Sequence, residues 1–483
     1  MHFYVRWRII VAISEPSSTL LQTELSMLLR LVNCPLLLIA LLVSLFPAGA
    51  SSAEKKPNIL LIVADDVGWG EFGFQGATDV PTPHIDSIAA HGVRMTQGYV
   101  SCPVCSPTRA GLMTGRYQTR FGHESNSGMK KLGLDVNEKT MADRLKGLGY
   151  ATCAVGKWHL GEVAKYHPLK RGFDEFFGTL ANTSYFHPQL FVDTRQSPKV
   201  MAIDDDQFYT TEQYGLRVTD WIGQHQQEPW FVYLPFNAQH NPLEAQPAYL
   251  ERFNHIRDKK RRSFAAIMSA MDDSVGRVLN KIHDLGQDEQ TLIVFLSDNG
   301  GPTKSTTSSN LPLRGLKATT WEGGIRVPFC VQWKGHLPPG KVYEQPVIQL
   351  DLLPTIVTAA GGKVDAEWKL DGVDLLPYLT SQKTDAPHES LFWRYGEQWA
   401  VRHGNFKLVV AEGGAEQAEL HDLANDIEEA HDLATTQPAK VKELLELYAA
   451  WNAQQAPANS PMDAAKKNVK KPTVGAAAND DSD

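Results

Sequence analysis

At 483 residues the chain is long enough for two to four average domains, or for one large α/β domain with a satellite. Its 42% hydrophobic and 21% charged residues suit a globular protein, and no internal repeat is evident. A net charge of −8 argues against a nucleic-acid binder, but a local group of cations can still receive an anionic substrate.

Residues 1–50 read as a secretory signal. From Met27, the expected start, Arg30 precedes an apolar run from Pro35 to Phe46 and then Ala48-Gly-Ala50. A positive start, a short apolar core and an A-x-A site form the signal pattern. The core is shorter than the about 20 residues of a membrane span, so an exported protein is expected, periplasmic or extracellular, with no stable span after cleavage. Cys34 leaves with the signal. Cys102, Cys105, Cys153 and Cys330 remain, too few for a disulfide scaffold.

Four apolar runs read as buried parallel strands: Asn58–Ala64, Tyr150–Val155, Trp230–Pro235 and Thr291–Leu296. Helical spacing is clear over Lys139–Leu148, closed by Gly149, and over Ala265–Leu285, closed by Gly286. The alternation predicts a large α/β domain over 57–362, with a mostly parallel sheet and helices on both faces. After Gly361-Gly362 the texture changes. Residues 391–395, 399–410 and 418–423 look like antiparallel strands, and Lys440–Trp451 like a helix, which gives a smaller C-terminal subdomain over 363–456. Residues 457–483 are low in apolar content and read as a disordered tail.

Each strand delivers polar residues at its carboxyl end, where open α/β sheets bind ligands. They are Asp65-Asp66, then Lys157 and His159, then His240, then Asp298-Asn299. Any one of these alone suits a turn or a cap; their joint placement points to a site. Asp65, Asp66, Asp298 and Asn299 offer only oxygen, which selects a hard cation, with calcium preferred outside the cytoplasm.

In the run Pro103-Val-Cys-Ser-Pro-Thr-Arg109, Pro107 fits the first turn of a helix. Cys105 then sits at the helix N-terminus, with Arg109 one turn later on the same face. A redox pair lacks the right context and a zinc knuckle lacks a second ligand pair, while a plain cysteine nucleophile leaves the carboxylates unexplained.

With these residues assembled, the chain resembles the type I, formylglycine-dependent sulfatases of the alkaline phosphatase superfamily. Cys105-Ser-Pro-Thr-Arg109 through Gly115 matches the C-x-P-x-R signature, although Thr108 stands where serine is common. Gly149 through Lys157-Trp-His159 matches the second signature, and Asp65-Asp66, His240, Asp298-Asn299 and Arg314-Gly-Leu-Lys317 match further strand ends and loops. The resemblance spans roughly 57 to 455. It implies that Cys105 is oxidised by a maturation enzyme to formylglycine, whose hydrate attacks sulfur with one oxygen and expels sulfate with the other. Calcium on Asp65, Asp66, Asp298 and Asn299 would orient that diol, making position 105 a further ligand. Arg109 would stabilise the attacking oxygen, Lys157 and Lys317 the sulfate, His240 or Lys317 would protonate the leaving oxygen, and His159 would act as base.

The expected substrate is a sulfate ester on a carbohydrate, with His187, Arg314 and Trp393 as candidate contacts. Two alternatives are a formylglycine-dependent phosphodiesterase or phosphonate monoester hydrolase, disfavoured by the all-oxygen ligand set, and a catalytically silent binding protein, disfavoured by the complete residue set.

Overall fold

The computed structural model describes residues 55–411 and 418–459. The signal-like segment and the tail beyond 459 lie outside the described residues. Among those described, no helix is long and apolar enough to cross a membrane, and all four cysteines are free and buried.

The strand runs of the sequence become the middle of a ten-stranded sheet. In chain order the strands are β1 (Asn58–Ala64), β2 (Val93–Met95), β3 (Gly98–Tyr99, outside this sheet), β4 (Ala151–Lys157), β5 (Glu175–Thr179), β6 (Phe191–Asp193) and β7 (Ser197–Met201). There follow β8 (Trp230–Pro235), β9 (Thr291–Ser297), β10 (Phe329–Trp333) and β11 (Lys341–Tyr343). The spatial order is β11-β2-β10-β9-β1-β8-β4-β5-β6-β7. The five central strands, β9 to β5, are mutually parallel, while β10, β6 and β7 add antiparallel pairings at the two sides.

Central parallel strands are covered on both faces, which is why they read as continuous apolar runs. Every residue of β1 is buried. Ile59, Leu61 and Val63 point into one core, Leu60, Ile62 and Ala64 into the other. The first core packs under the helices Cys105–Thr114, Met141–Gly147 and Leu352–Ala359; the second packs under Pro83–Ala90, Thr210–Gln224 and Lys259–Asp284.

Two helices begin elsewhere than expected. Thr140 and Asp143 form a capping box, so that helix starts at Met141 rather than Lys139. The long helix starts at Lys259, where Asp258 accepts from the Arg261 amide; its first turn is entirely basic and carries no apolar periodicity.

The C-terminal layer is a four-stranded antiparallel sheet of β13 (Ser390–Tyr395), β14 (Gln398–His403), β15 (Phe406–Val410) and β16 (Glu419–Asp422), backed by the helix Pro438–Asn452. The run 399–410, read as one strand, is a hairpin. Gly404 (φ 57°) turns the chain there, a conformation that favours glycine. Between β11 and this layer, Val347–Ile348 (β12) pairs with β3. Residues 457–459, expected to open the tail, are held on the large domain: the Asn459 amide donates to the Gly122 carbonyl at 2.8 Å.

Candidate active site

Register explains why distant acids meet. β1 and β9 run parallel with Ala64 opposite Ser297, so the next residues, Asp65 and Asp298, emerge side by side. The Asp66 amide donates to Oδ1 of Asp298 at 3.2 Å. Asp66 adopts a left-handed backbone (φ 64°), as does His159 (φ 56°), a conformation costing about 1–3 kcal/mol at a non-glycine residue and held only where the surroundings impose it. Lys157, the last residue of β4, pairs its ammonium with Oδ2 of Asp65. Gly156 before it (φ 133°) lies so close to β8 that a Cβ would stand 1.9 Å from the Pro235 carbonyl oxygen; glycine brings the lysine to this depth.

Cys105 is the first residue of its helix, and all ten residues of that helix are buried. No side chain at Val104 caps it; Oδ1 of Asn126 accepts from the Ser106 amide instead, at 2.9 Å. The thiol lies 3.4 Å from Oδ1 of Asp65 and 3.8 Å from Oδ1 of Asp66. Arg109, one turn on, donates from Nε and Nη2 to Oδ2 of Asp298 at 3.0 and 2.7 Å, and from Nη1 to the Lys157 carbonyl at 2.9 Å. Lys317 donates to both oxygens of Asp66, at 2.6 and 2.8 Å, and to Sγ of Cys105 at 3.4 Å.

His240 completes the rim. Its Nδ1 faces the Asn241 carbonyl at 2.7 Å, which places the proton there and leaves Nε2 to accept from the Asn182 amide at 3.1 Å. Nε2 is 3.8 Å from Asp66. His159 is 4% exposed and its Nδ1 has no hydrogen-bond partner among the described residues.

Three carboxylates thus face three cations. Burial would raise Asp65, but Lys157, His240, Arg109 and Lys317 together hold it well below the usual carboxylate range. Burial first, and Asp65 next, push Asp298 up to about 6 against Arg109. Burial lowers His159 far below the ordinary imidazole value, with Lys157 and Arg109 adding to it; His240 is lowered by burial and Lys157 against the pull of Asp66. Lys317 is raised, since Asp66 and Cys105 outweigh its burial. Near neutral pH both histidines are neutral and Lys317 is charged.

The donor set fits a hard cation. One ligand atom from each of Asp65, Asp66, Cys105 and Asp298 lies within 4.8 Å of the others, all buried. Oδ1 of Asn299 is buried beside them without a partner among the described residues, while its Nδ2 donates to Asp66 at 2.8 Å. A buried carbonyl oxygen left without a partner in this cluster is what a cation would satisfy.

Cys105, Arg109, Lys157, His159, His240, Lys317, Asp65, Asp66, Asp298 and Asn299 therefore come together. The three candidate substrate contacts do not join them. Trp393 is fully buried in the interface of the two layers, donating from Nε1 to the Val100 carbonyl at 2.7 Å. Arg314 lies 3.6 Å over the Trp321 ring and donates to Glu419 at 2.9 Å and to the Glu429 carbonyl at 2.8 Å. His187 is half-exposed against Asp206, at 3.3 Å. Asn126 and His123 were not evident from the sequence: Ser106 Oγ lies 2.7 Å from Nε2 of His123, 17 residues on, through a loop without periodic pattern.

The family model described as Sulfatase matches residues 57–362, and the one described as N-sulphoglucosamine sulphohydrolase, C-terminal, matches residues 317–450. The chain is 34% identical over 391 residues to N-acetylgalactosamine-6-sulfatase of Sus scrofa, a match covering 74% of this chain and 72% of that protein. It is 35% identical over 345 residues to arylsulfatase J of Mus musculus, covering 68% of this chain and 56% of that one. Among solved structures, Ps i-CgsB in complex with k-i-k-neocarrahexaose is similar at a TM-score of 0.77 and 32% identity, over 84% of this chain and 95% of the other.

Proposed function

The chain belongs to the sulfatase family and is a sulfuric ester hydrolase, and we propose that it is an exported enzyme that desulfates a saccharide through formylglycine at position 105 and calcium. The observation that carries this reading is the meeting of Cys105 with three cations and an oxygen-rich donor set at one sheet edge. Two relatives support a saccharide: one is named for a sulfated amino sugar, and one was solved with a carrageenan-type hexaose.

Asp65, Asp66, Asp298 and Asn299 would hold the calcium, with position 105 as a further ligand; when bound, this pair of groups supplies a Lewis acid and a geminal diol nucleophile. The protein's own residues do the rest. Arg109, locked on Asp298, fixes the helix that carries position 105 and keeps a permanent positive charge one turn behind it. Lys157 and Lys317 neutralise Asp65 and Asp66; with a cation held among those carboxylates, both ammonium groups would be free to face the sulfate oxygens. Lys317, charged near neutral pH, carries a proton it can pass to the leaving oxygen; His240, neutral with its proton on Nδ1, would have to gain a second proton at Nε2 to take that role. Neutral His159, with Nδ1 unpartnered, is suited to accept the proton that leaves the diol.

The test is sulfate release from a panel of sulfated mono- and oligosaccharides, by protein made in a host that matures sulfatases. Wild type should release sulfate and Cys105→Ala should release none while keeping its circular dichroism spectrum. Undiminished turnover by Cys105→Ala would place the nucleophile elsewhere.

A further inference from the structure

The active-site mouth continues into an open pocket of about 410 Å³, within the size range of small-ligand sites. One wall holds Asn126, Lys130 and Lys131; the other holds His159, Glu162 and Asn182. Both walls belong to the catalytic machinery. Asn126 caps the helix of Cys105, and Asn182 donates to His240. His159, whose buried Nδ1 has no hydrogen-bond partner among the described residues, is one of the lining residues. Backbone bonds tie the walls together: the Glu162 amide donates to the Met129 carbonyl at 3.0 Å, and the Leu134 amide to the Leu160 carbonyl at 3.0 Å. The lysine loop is thereby fixed beside the site. Gly128 (φ 80°) turns it, and its carbonyl accepts from the amides of Lys131 and Leu132 at 2.8 Å each.

Lys130 and Lys131 are exposed, and neither forms an ion pair among the described residues. Glu162 is the single acid of the lining. On a chain of net charge −8, two unpaired ammonium groups beside the reaction centre form a local positive field that attracts anions.

We infer that this pocket is a subsite for a second anionic group on the substrate, with Lys130 and Lys131 as the residues that select it. The inference rests on the sulfated-saccharide reading and narrows it to polyanionic saccharides, in which a sugar next to the scissile sulfate carries another sulfate or a carboxylate. Glu162 and Asn182 supply the hydrogen-bond acceptor and amide that ring hydroxyls need between the two charges. Rim charges of this kind act mainly on encounter and on its salt dependence.

The test compares wild type with the Lys130→Ala/Lys131→Ala variant on an aryl sulfate, a monosulfated neutral oligosaccharide, its disulfated counterpart and a monosulfated uronate oligosaccharide. On a doubly charged substrate kcat/KM should fall by roughly ten-fold more than on the aryl sulfate or the monosulfated sugar. The salt dependence of wild type on that substrate should flatten in the variant. A selective loss on the disulfated arm assigns the second group as sulfate, and on the uronate arm as carboxylate. Equal changes on all four substrates, or none, overturn the subsite while the sulfatase reading stands. A wild type that releases sulfate from no saccharide overturns the saccharide reading, and the subsite with it.

Discussion

Nη2 of Arg109 lies 2.7 Å from Oδ2 of Asp298, and both side chains are fully buried. The bond joins the helix that begins at Cys105 to the carboxylate at the end of β9, so one guanidinium sets the distance between the proposed nucleophile position and a proposed metal ligand. Arg109→Lys keeps the charge but loses the two-pronged contact and the bond to the Lys157 carbonyl. Its kcat/KM should fall by about 100-fold or more. Arg109→Ala leaves Asp298 buried without its partner and should cost about 3–5 kcal/mol in urea unfolding.

Calcium should stabilise the fold as well as serve the reaction. A ligand that binds only the native state at 100 times its Kd adds about 2.7 kcal/mol. Dialysis against EGTA should lower Tm, and added calcium should restore it. Asn299→Ala should raise the calcium concentration needed for half of that recovery, because it removes the orphaned oxygen.

Acid should loosen the support of the nucleophile helix. Burial pushes His123 down to about 4 from 6.5, so its neutral ring can accept from Ser106. The unfolded chain takes up this proton first, so the native state loses stability as pH falls from 6.5 toward 4. The fall is worth on the order of 3 kcal/mol for this one residue. Urea midpoints compared at pH 7 and pH 4.5 should drop less in His123→Gln than in wild type.

The C-terminal layer is tied in by a buried charge cluster. Lys407 on β15 lies 2.9 Å from Glu322 and 2.8 Å from Glu429, and all three side chains are fully buried. Tyr99 donates to Glu322 at 2.6 Å and receives from Arg402 at 2.6 Å. Lys407→Met should lower stability by about 3–5 kcal/mol, because two carboxylates lose the cation between them. Glu322 lies five residues after Lys317, so the same change should raise KM for sulfate esters as that segment loosens.

The core of the site was legible because each part follows a local pattern. Continuous apolar runs mark buried strands, and polar residues just past them fall at one sheet edge whatever the strand order. Asp65, Lys157, His240 and Asp298 needed nothing more. The pairings among them required register, which no single segment carries: that Asp298 emerges beside Asp65 follows from Ala64 standing opposite Ser297, and no local pattern announces that Arg109 binds it. Trp393 and Arg314 looked like binding residues because aromatic and cationic side chains serve interfaces of any kind, and here the interface is internal. Lys130 and Lys131 gave no signal at all, since exposed lysines are ordinary until a fold sets them beside a site.

The most direct test of the central claim is the mass of the tryptic peptide carrying position 105, from protein purified out of a sulfatase-maturing host. Replacement of the thiol by an aldehyde, in proportion to specific activity across preparations of differing maturation, is the predicted result. A fully active preparation whose peptide carries an unmodified Cys105 thiol would contradict it.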